Sequence, residues 1–589
     1  MDDADIAAFV QWFQSSGGSI DTKVMGIADV PRSGRGAIAM CDIPEGYTIF
    51  TLPRAITLST RTSPLPALFG FDAWRAHRLH KGWVGLILCM MWEDAWTHEL
   101  DVVDRDRQSQ DNIQTKWGPY MRTLPTTFDT PMFWSSEELE ELRGTSVVDK
   151  IGREDAERAY SEQLVPAIKT APNLFPPSHH GKWYTLDAYH RAGSRILSRS
   201  FTVHRWKDDD EIEEDKDRDG VAEESGASEV EDPHPNTFTE SSTHVGDAHS
   251  PSPLLDDTNE ELNSDSEDDE DDPSDVAMVP MADLLNARWG SENAKLFYEP
   301  FVLRMVTTKK VKQGEQIFNT YGDPPNSDLL RRYGHVDLVR IHSPSRDSTP
   351  DRLEDVEMKD CDTDVETILR LGNPSDVVEV RADLIVHVVQ RSNFSSKMKD
   401  VHTRIEWWLG EGEDDTFVLS LPGPGSALSA ILPPALISLI RLIIMPEGDF
   451  KSARSKGKLP KGHFKKGDVK DSKQVLEILD EVLNQCEGMY IGGSVEDDER
   501  LLSLPETLAE RKRHAVIARL GEKRILRDVR QRIRMMFAEL SVTSRTEFGD
   551  EKDNTRRDNV GEDGGKAGSN RKRVVNGREG GSEWKRARK

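Results

Sequence analysis

Two glycines one residue apart, an asparagine and a few tyrosines are the residues of this chain whose types and spacing could do chemistry. Gly34 and Gly36 stand in Ser33-Gly34-Arg35-Gly36, between two strand-like runs. Missing side chains let backbone amides come close to an anionic group, so this turn is a candidate ligand cradle, although most such pairs only reverse the chain. Asn286 closes Met281-Ala282-Asp283-Leu284-Leu285-Asn286 and precedes Ala287. By itself an Asn there caps or turns the chain. Tyr321 falls in Asn319-Thr320-Tyr321-Gly322, Tyr333 in Arg332-Tyr333-Gly334, and Tyr298 lies between Asn286 and Tyr321. A tyrosine ending a strand is by default a half-buried packing residue. Arg199, in Ser198-Arg199-Ser200-Phe201, reads equally as a helix-surface cation. The cysteines Cys41, Cys89, Cys361 and Cys486 form no CxxC and no Cys/His ligand spacing. That pattern argues for a reducing compartment and against a zinc module.

In their order along residues 278–334 these motifs resemble the second half of a SET domain, the fold of S-adenosylmethionine-dependent protein lysine methyltransferases. The resemblance extends over roughly residues 10–540 and is to the Rubisco large-subunit methyltransferase class. Within that class the chain is similar to the fungal ribosomal lysine methyltransferases and to the SET domain-containing protein 6 type. It implies an α+β fold, with a β-rich SET domain split by a helical insertion and followed by an all-α substrate-binding domain. It implies that Tyr321 and Tyr298 are catalytic, and that Ser33, Gly34, Arg35, Gly36, Arg199, Asn286, Ala287 and Tyr321 contact S-adenosyl-L-methionine. Where the class commonly has Asn-His, this chain has Asn286-Ala287. The contact carried over at the second position is made by backbone, which an alanine supplies. No metal is implied.

The implied chemistry is methyl transfer to a lysine amine. The cofactor carries the reactivity and the protein aligns the partners. Holding a lysine neutral at pH 7 costs about 4.6 kcal/mol, which an apolar channel lowers. The implied substrate is a lysine of a basic 60S ribosomal protein. A transcription factor or histone lysine is the alternative, as is a catalytically weak SET scaffold or acidic chaperone. A monomer is expected, with no membrane association and no sequence-specific nucleic acid.

The elements that must position these residues are legible in the hydrophobic pattern. Residues 4–14 have helical spacing and stop at Gly17-Gly18. Residues 24–58 read as short strands punctuated by Pro31, Gly34, Gly36 and Pro44-Glu45-Gly46, completing a first SET piece over 1–65. Residues 66–206 read as helices: 83–96 apolar nearly all round, then 137–143, 153–169 and 184–201 amphipathic. Strand texture returns over 276–340, the second SET piece. Helical patterns at 383–390, 434–445, 472–486 and 508–540 make a C-terminal domain of 341–545, with Trp407 and Trp408 in its core. Its basic run 508–530 reads as a mostly solvated helix face.

The formal charge of −28 is local in origin. Residues 207–275 hold 28 Asp/Glu against three Lys/Arg, so everything else sums to about −3. Such a segment cannot bury enough surface to offset its ordering entropy and is expected to be disordered. Residues 346–364 look like a shorter insert of the same kind. Residues 546–589 read as a basic tail whose clusters at 571–573 and 585–589 have bipartite nuclear-import spacing. The acidic, amphipathic N-terminus is unlike a signal peptide and no apolar run reaches about 18 residues, so a soluble protein of the nucleus with some in the cytoplasm is expected.

Overall fold

The computed structural model describes residues 3–30, 33–102, 115–205, 273–340, 371–392, 401–423, 426–464, 469–504 and 508–554. Most of the acidic segment, the 346–364 insert and most of the tail lie outside them. Residues Met1–Arg534 form one compact unit and Met535–Lys589 a second.

The first helix, Asp3–Ser15, buries Phe9 and Phe13 completely, and Phe13 meets Phe50 edge to face at 6.4 Å. Strands then follow at the punctuated positions: β1 (Ser19–Ile20), β2 (Met25–Val30), β3 (Gly34–Ala39) and β4 (Thr48–Pro53). The second SET piece supplies β6 (Val276–Met278), β7 (Ala294–Tyr298), β8 (Val302–Thr307) and β9 (Gln316–Ile317); β5 (Ser200–Thr202) ends the helical insertion. The two pieces interleave. One sheet runs β1-β4-β8-β7 and another β2-β3-β9, so each contains strands from both sides of the insertion.

Within the insertion the helix Val84–Val102 buries Leu86 through Trp92 on all faces, as its apolar run predicts. The helix expected over 153–169 runs unbroken from Arg153 to Thr170, with a wider turn at Tyr160–Leu164 between Arg153–Ala159 and Val165–Thr170. Pro166 is the reason: without an N–H it cannot close the ordinary helical bond, and the backbone widens ahead of it.

The acidic segment leaves and re-enters through an antiparallel pair, β5 with β6, in which Ser200 faces Met278 and Thr202 faces Val276. Arg61 bonds both stems, through Asp275 and the Val203 carbonyl. His204 Nδ1 lies 2.7 Å from Asp275 Oδ2. With the ends already joined, loop length adds only a slowly growing entropy cost. Replacing residues 210–272 by a short Gly/Ser linker is therefore expected to leave the melting temperature within about 2 °C of wild type. Methylation of a short peptide should also be unchanged. A loss of ten degrees would place the segment inside the fold.

The C-terminal domain is built from Ala382–Arg391, Val401–Gly410, Pro434–Ile444, Glu447–Ser455, Val469–Met489, Val495–Leu502 and the long Glu510–Asn554 helix. It also carries an antiparallel ribbon, Val377–Arg381 with Thr416–Ser420, which the helical sequence patterns do not contain. Arg404, fully buried, donates to the carbonyls of Leu442 and Met445 at 2.7 Å and so closes the end of the Pro434–Ile444 helix.

The reading of 508–530 as a mostly solvated face is corrected. Arg519, Glu522 and Lys523 are only 2–3% exposed. Arg519 reaches Asp498 at 2.7 Å and Glu141 at 2.9 Å, and Lys523 reaches Asp498 at 2.7 Å. Glu522 accepts from Tyr490 Oη at 2.7 Å and Ser146 Oγ at 2.9 Å. Gly521 is required between them, because a Cβ there would lie 2.0 Å from Asp376 Oδ2. This helix fastens the C-terminal domain to residues 141–146 of the SET insertion.

Candidate active site

Register brings the first motif to the second. The β2–β3 hairpin pairs Val30 with Gly34, and Gly34 holds a left-handed φ of 65° that favours glycine. β3 continues against β9, with Ile38 opposite Gln316. Gly36 thus faces Asn286: an added Cβ would stand 2.6 Å from the Asn286 amide nitrogen and 3.0 Å from Gln316 Oε1. Asn286 Nδ2 donates to Gln316 Oε1 at 3.1 Å. Its carbonyl accepts from Asn319 N at 3.0 Å, and Ala287 bridges Asn319 in parallel. Ser33 turns the same hairpin, its N–H bonded to the Val30 carbonyl at 3.1 Å, while the Arg35 guanidinium lies 3.9 Å from Asp29.

The approach to Asn286 is strained. Met281 is fully buried at φ 77°, a conformation that costs a non-glycine residue on the order of 1–3 kcal/mol. It turns the chain into the short helical turn Ala282–Leu284, and so directs the Asp283 and Leu285 carbonyls. The Asp283 carbonyl accepts from Arg199 Nη1. That of Leu285 lies 3.4 Å from the Tyr321 hydroxyl. Tyr321 stacks on Tyr333, ring centroids 4.3 Å apart and planes within 6°. Burial holds the Tyr321 phenol well above its ordinary pKa, with neighbouring Tyr333 adding to the rise and Arg199 opposing it. This hydroxyl therefore stays protonated at working pH and serves as a donor, not as a base.

Beneath this floor lies a pair that no short motif signals. Tyr120 Oη donates to Asp283 Oδ2 at 2.7 Å, inside the protein. Burial raises the Asp283 carboxyl to about 6, against the pull of Arg199 and the Tyr120 bond. Asp283 Oδ1 and Arg199 Nε have no partner among the described residues.

Tyr298 is placed differently from Tyr321. It ends the edge strand β7, 39% exposed and beside Arg54, outside the Tyr321–Tyr333 stack.

A small cleft opens beside Ala287 and Tyr321, with Trp289 and Leu329 among its walls. The sequence reading did not single out Trp289. Its backbone N–H donates to Asp337 Oδ2 at 3.0 Å and its indole N–H to Ser375 Oγ at 3.3 Å. Asn326 links Asp337 to Asp376, next to Ser375, so this wall is tied to the segment that precedes the ribbon.

The arrangement offers a glycine turn with the Asn286 amide packed against it, two directed carbonyls, a neutral phenol and a small cleft lined in part by Trp289 and Leu329. Those features fit a zwitterionic amino-acid group attached to a flat heterocycle, as in S-adenosylmethionine. Among the described residues no His/Cys/Asp/Glu group is arranged to hold a metal ion, and no helix is long and apolar enough to cross a membrane.

Residues 397–526 match the family model described as Rubisco LSMT substrate-binding. The chain is 27% identical over 345 residues to ribosomal lysine N-methyltransferase 4 of Saccharomyces cerevisiae, covering 57% of each protein. It is 28% identical to N-lysine methyltransferase setd6 of Xenopus laevis, over 56% of this chain and 57% of that one. With SETD6 of Mus musculus the identity is 24% over 89% of each. The chain thus spans a little over half the length of the first two relatives. Among solved structures, Rubisco LSMT bound to AdoMet superposes with a TM-score of 0.54 at 18% identity, over 91% of this chain and 93% of that one. The LSMT SET domain bound to lysine and AdoHcy superposes with a TM-score of 0.54 at 17% identity, over 91% and 92%. This chain therefore has the Rubisco LSMT-type fold, a split SET domain followed by a Rubisco LSMT substrate-binding domain.

Proposed function

We propose that this chain is an S-adenosylmethionine-dependent protein-lysine N-methyltransferase whose substrate is a lysine of a 60S ribosomal protein. The observation that carries the enzymatic reading is the convergence of Gly36, Asn286 and Gln316 in one cradle, with the Tyr321 hydroxyl against the Leu285 carbonyl close by. The cofactor supplies an electrophilic methyl group when bound. Ser33, Gly34, Arg35, Gly36, Arg199, Asn286, Ala287 and Tyr321 would hold it, and Arg199 also bonds the Asp283 carbonyl. The protein's own work is to receive a lysine in its neutral form, to orient the amine by Tyr321 and the carbonyls, and to exclude water.

Two features support the ribosomal substrate. The yeast relative is named for ribosomal lysines. Residues 207–275, with a net charge of −25, suit a strongly basic protein. The test is a methylation assay with labelled cofactor on ribosomal fractions from cells lacking this enzyme. Label entering a 60S protein is the expected outcome. Label confined to histones or other nuclear proteins would overturn the substrate assignment.

Such an enzyme needs access to ribosomal proteins before assembly, and the reading includes a nuclear location with some cytoplasmic protein. The basic clusters at 571–573 and 585–589 are the proposed import element. Removing residues 570–589 is expected to shift a fluorescent fusion toward the cytoplasm while activity in vitro persists. An unchanged nuclear signal would reject the tail as that element.

A further inference from the structure

A strongly basic stretch of this acidic chain lies in the C-terminal domain. Residues 451–473 carry nine Lys/Arg against two Asp/Glu, a net of +7 in a chain whose total is −28. They run from the helix Glu447–Ser455 into Val469–Met489.

This loop is pinned from within. Ser438 Oγ donates to the Pro460 carbonyl at 2.7 Å. Arg441 donates to the carbonyls of Lys461 and His463 and pairs with Asp471 at 2.7 Å. Gly462 is pressed on Pro434 so closely that a Cβ would lie 2.2 Å from its carbonyl oxygen. The backbone is thereby spent on the Pro434–Ile444 helix, while Arg454, Lys456, Lys458, Lys461 and Lys470 are all exposed. Among the described residues these five have no carboxylate partner. Clustered cations cost folding energy by mutual repulsion, and here neighbouring acids do not relieve it.

The chemistry of the occupant follows from what surrounds the charges. Between them stand Ser455, Gly457, Gly462 and His463, and none of the exposed large apolar side chains falls within 447–473 among the described residues. A membrane surface requires apolar residues that enter the lipid. A protein partner is held mainly by aromatic and apolar anchors. A phosphate backbone needs only fixed positive charge, since the free energy comes from released counterions.

We infer that the Lys456–Lys458–Lys461 loop is a site for the phosphate backbone of RNA, read without regard to sequence. The choice of RNA rests on the ribosomal reading above; the site itself does not depend on methyl transfer. The loop lies within the stretch that matches the substrate-binding family model, so RNA held there would keep a ribonucleoprotein substrate beside this domain.

The test is fluorescence anisotropy of a labelled single-stranded RNA of about 20 nucleotides with the full chain, without cofactor, from roughly 50 to 200 mM salt. The wild type is expected to bind with affinity falling steeply with salt. The triple variant Lys456→Glu, Lys458→Glu, Lys461→Glu should bind more than tenfold more weakly at ~100 mM salt. Its log–log salt slope should be shallower by about two, for three lost phosphate contacts at roughly 0.7 each. Its melting temperature and its methylation of a short peptide should match wild type.

No measurable RNA binding, or equal binding by the triple variant, overturns the proposal. So does equal competition by polyglutamate or by anionic vesicles of matched charge. Deletion of residues 210–272 supplies the remaining arm: a tenfold gain in RNA affinity would make the chain's own acidic segment the occupant. Because binding is read without turnover, loss of methylation and loss of RNA affinity are scored separately.

Discussion

Tyr321→Phe is expected to fold, to bind S-adenosylhomocysteine as tightly as wild type, and to lose at least about a hundredfold in turnover, the range for removing one donor aimed at the reacting atoms. The substitution deletes an oxygen and nothing else. The phenyl ring retains its stack on Tyr333 at 4.3 Å, so the wall of the site keeps its shape. What disappears is a neutral donor 3.4 Å from the Leu285 carbonyl, the group that on the proposed function orients the lysine amine. Asn286→Ala should divide the two effects the other way. It removes the amide that bonds Gln316 at 3.1 Å and packs directly against Gly36, so cofactor affinity is expected to fall tenfold or more. Calorimetry with S-adenosylhomocysteine and single-turnover methylation read the two quantities separately. Wild-type turnover in Tyr321→Phe would falsify the role given to the hydroxyl.

What sequence could and could not reveal follows from the range of each interaction. The Gly34–Gly36 turn, Asn286 and Tyr321 are legible because each lies in a short motif that is locally distinctive, and the sheet registers then bring them together. The Tyr120–Asp283 bond joins residues 163 positions apart, one from the helical insertion and one from the second SET piece. Tyr120 carries no local mark of that role. Trp289 is similar, since its partners Asp337 and Ser375 lie far along the chain. Tyr298, marked by its spacing after Asn286, lies at the end of strand β7, partly exposed and beside Arg54. The ribbon Val377–Arg381 with Thr416–Ser420 joins strands of five residues across two intervening helices, Ala382–Arg391 and Val401–Gly410, so its pairing is not a local signal.

Charge on a helix is the most misleading signal of all, and it sets the second large expectation. Arg511 to Arg530 looks like a solvated basic face, yet Arg519 is 2% exposed and Asp498 is 1% exposed. Removing one member of a buried ion pair costs about 3–5 kcal/mol where the other charge is left uncompensated, and the lower end applies to Asp498, which has a second cation partner in Lys523. Arg519→Met keeps much of the side-chain volume and removes only the charge. Asp498 would retain Lys523 at 2.7 Å but lose both guanidinium contacts, and Glu141 would lose its tie at 2.9 Å while keeping Lys512. The expected result is a chemical-denaturation curve shifted by several kcal/mol, with earlier protease cleavage near residues 141–146, where the SET insertion meets this helix. The double variant Arg519→Met, Asp498→Leu should cost clearly less than the two single changes added together, because it leaves no orphaned carboxylate. Lys523 is then the cation left to solvate, and its bonds to the carbonyls of Ile491 and Gly493 persist. If Arg519→Met unfolds at the wild-type midpoint, the two domains are held together by their apolar contacts alone, and the buried charges are spectators.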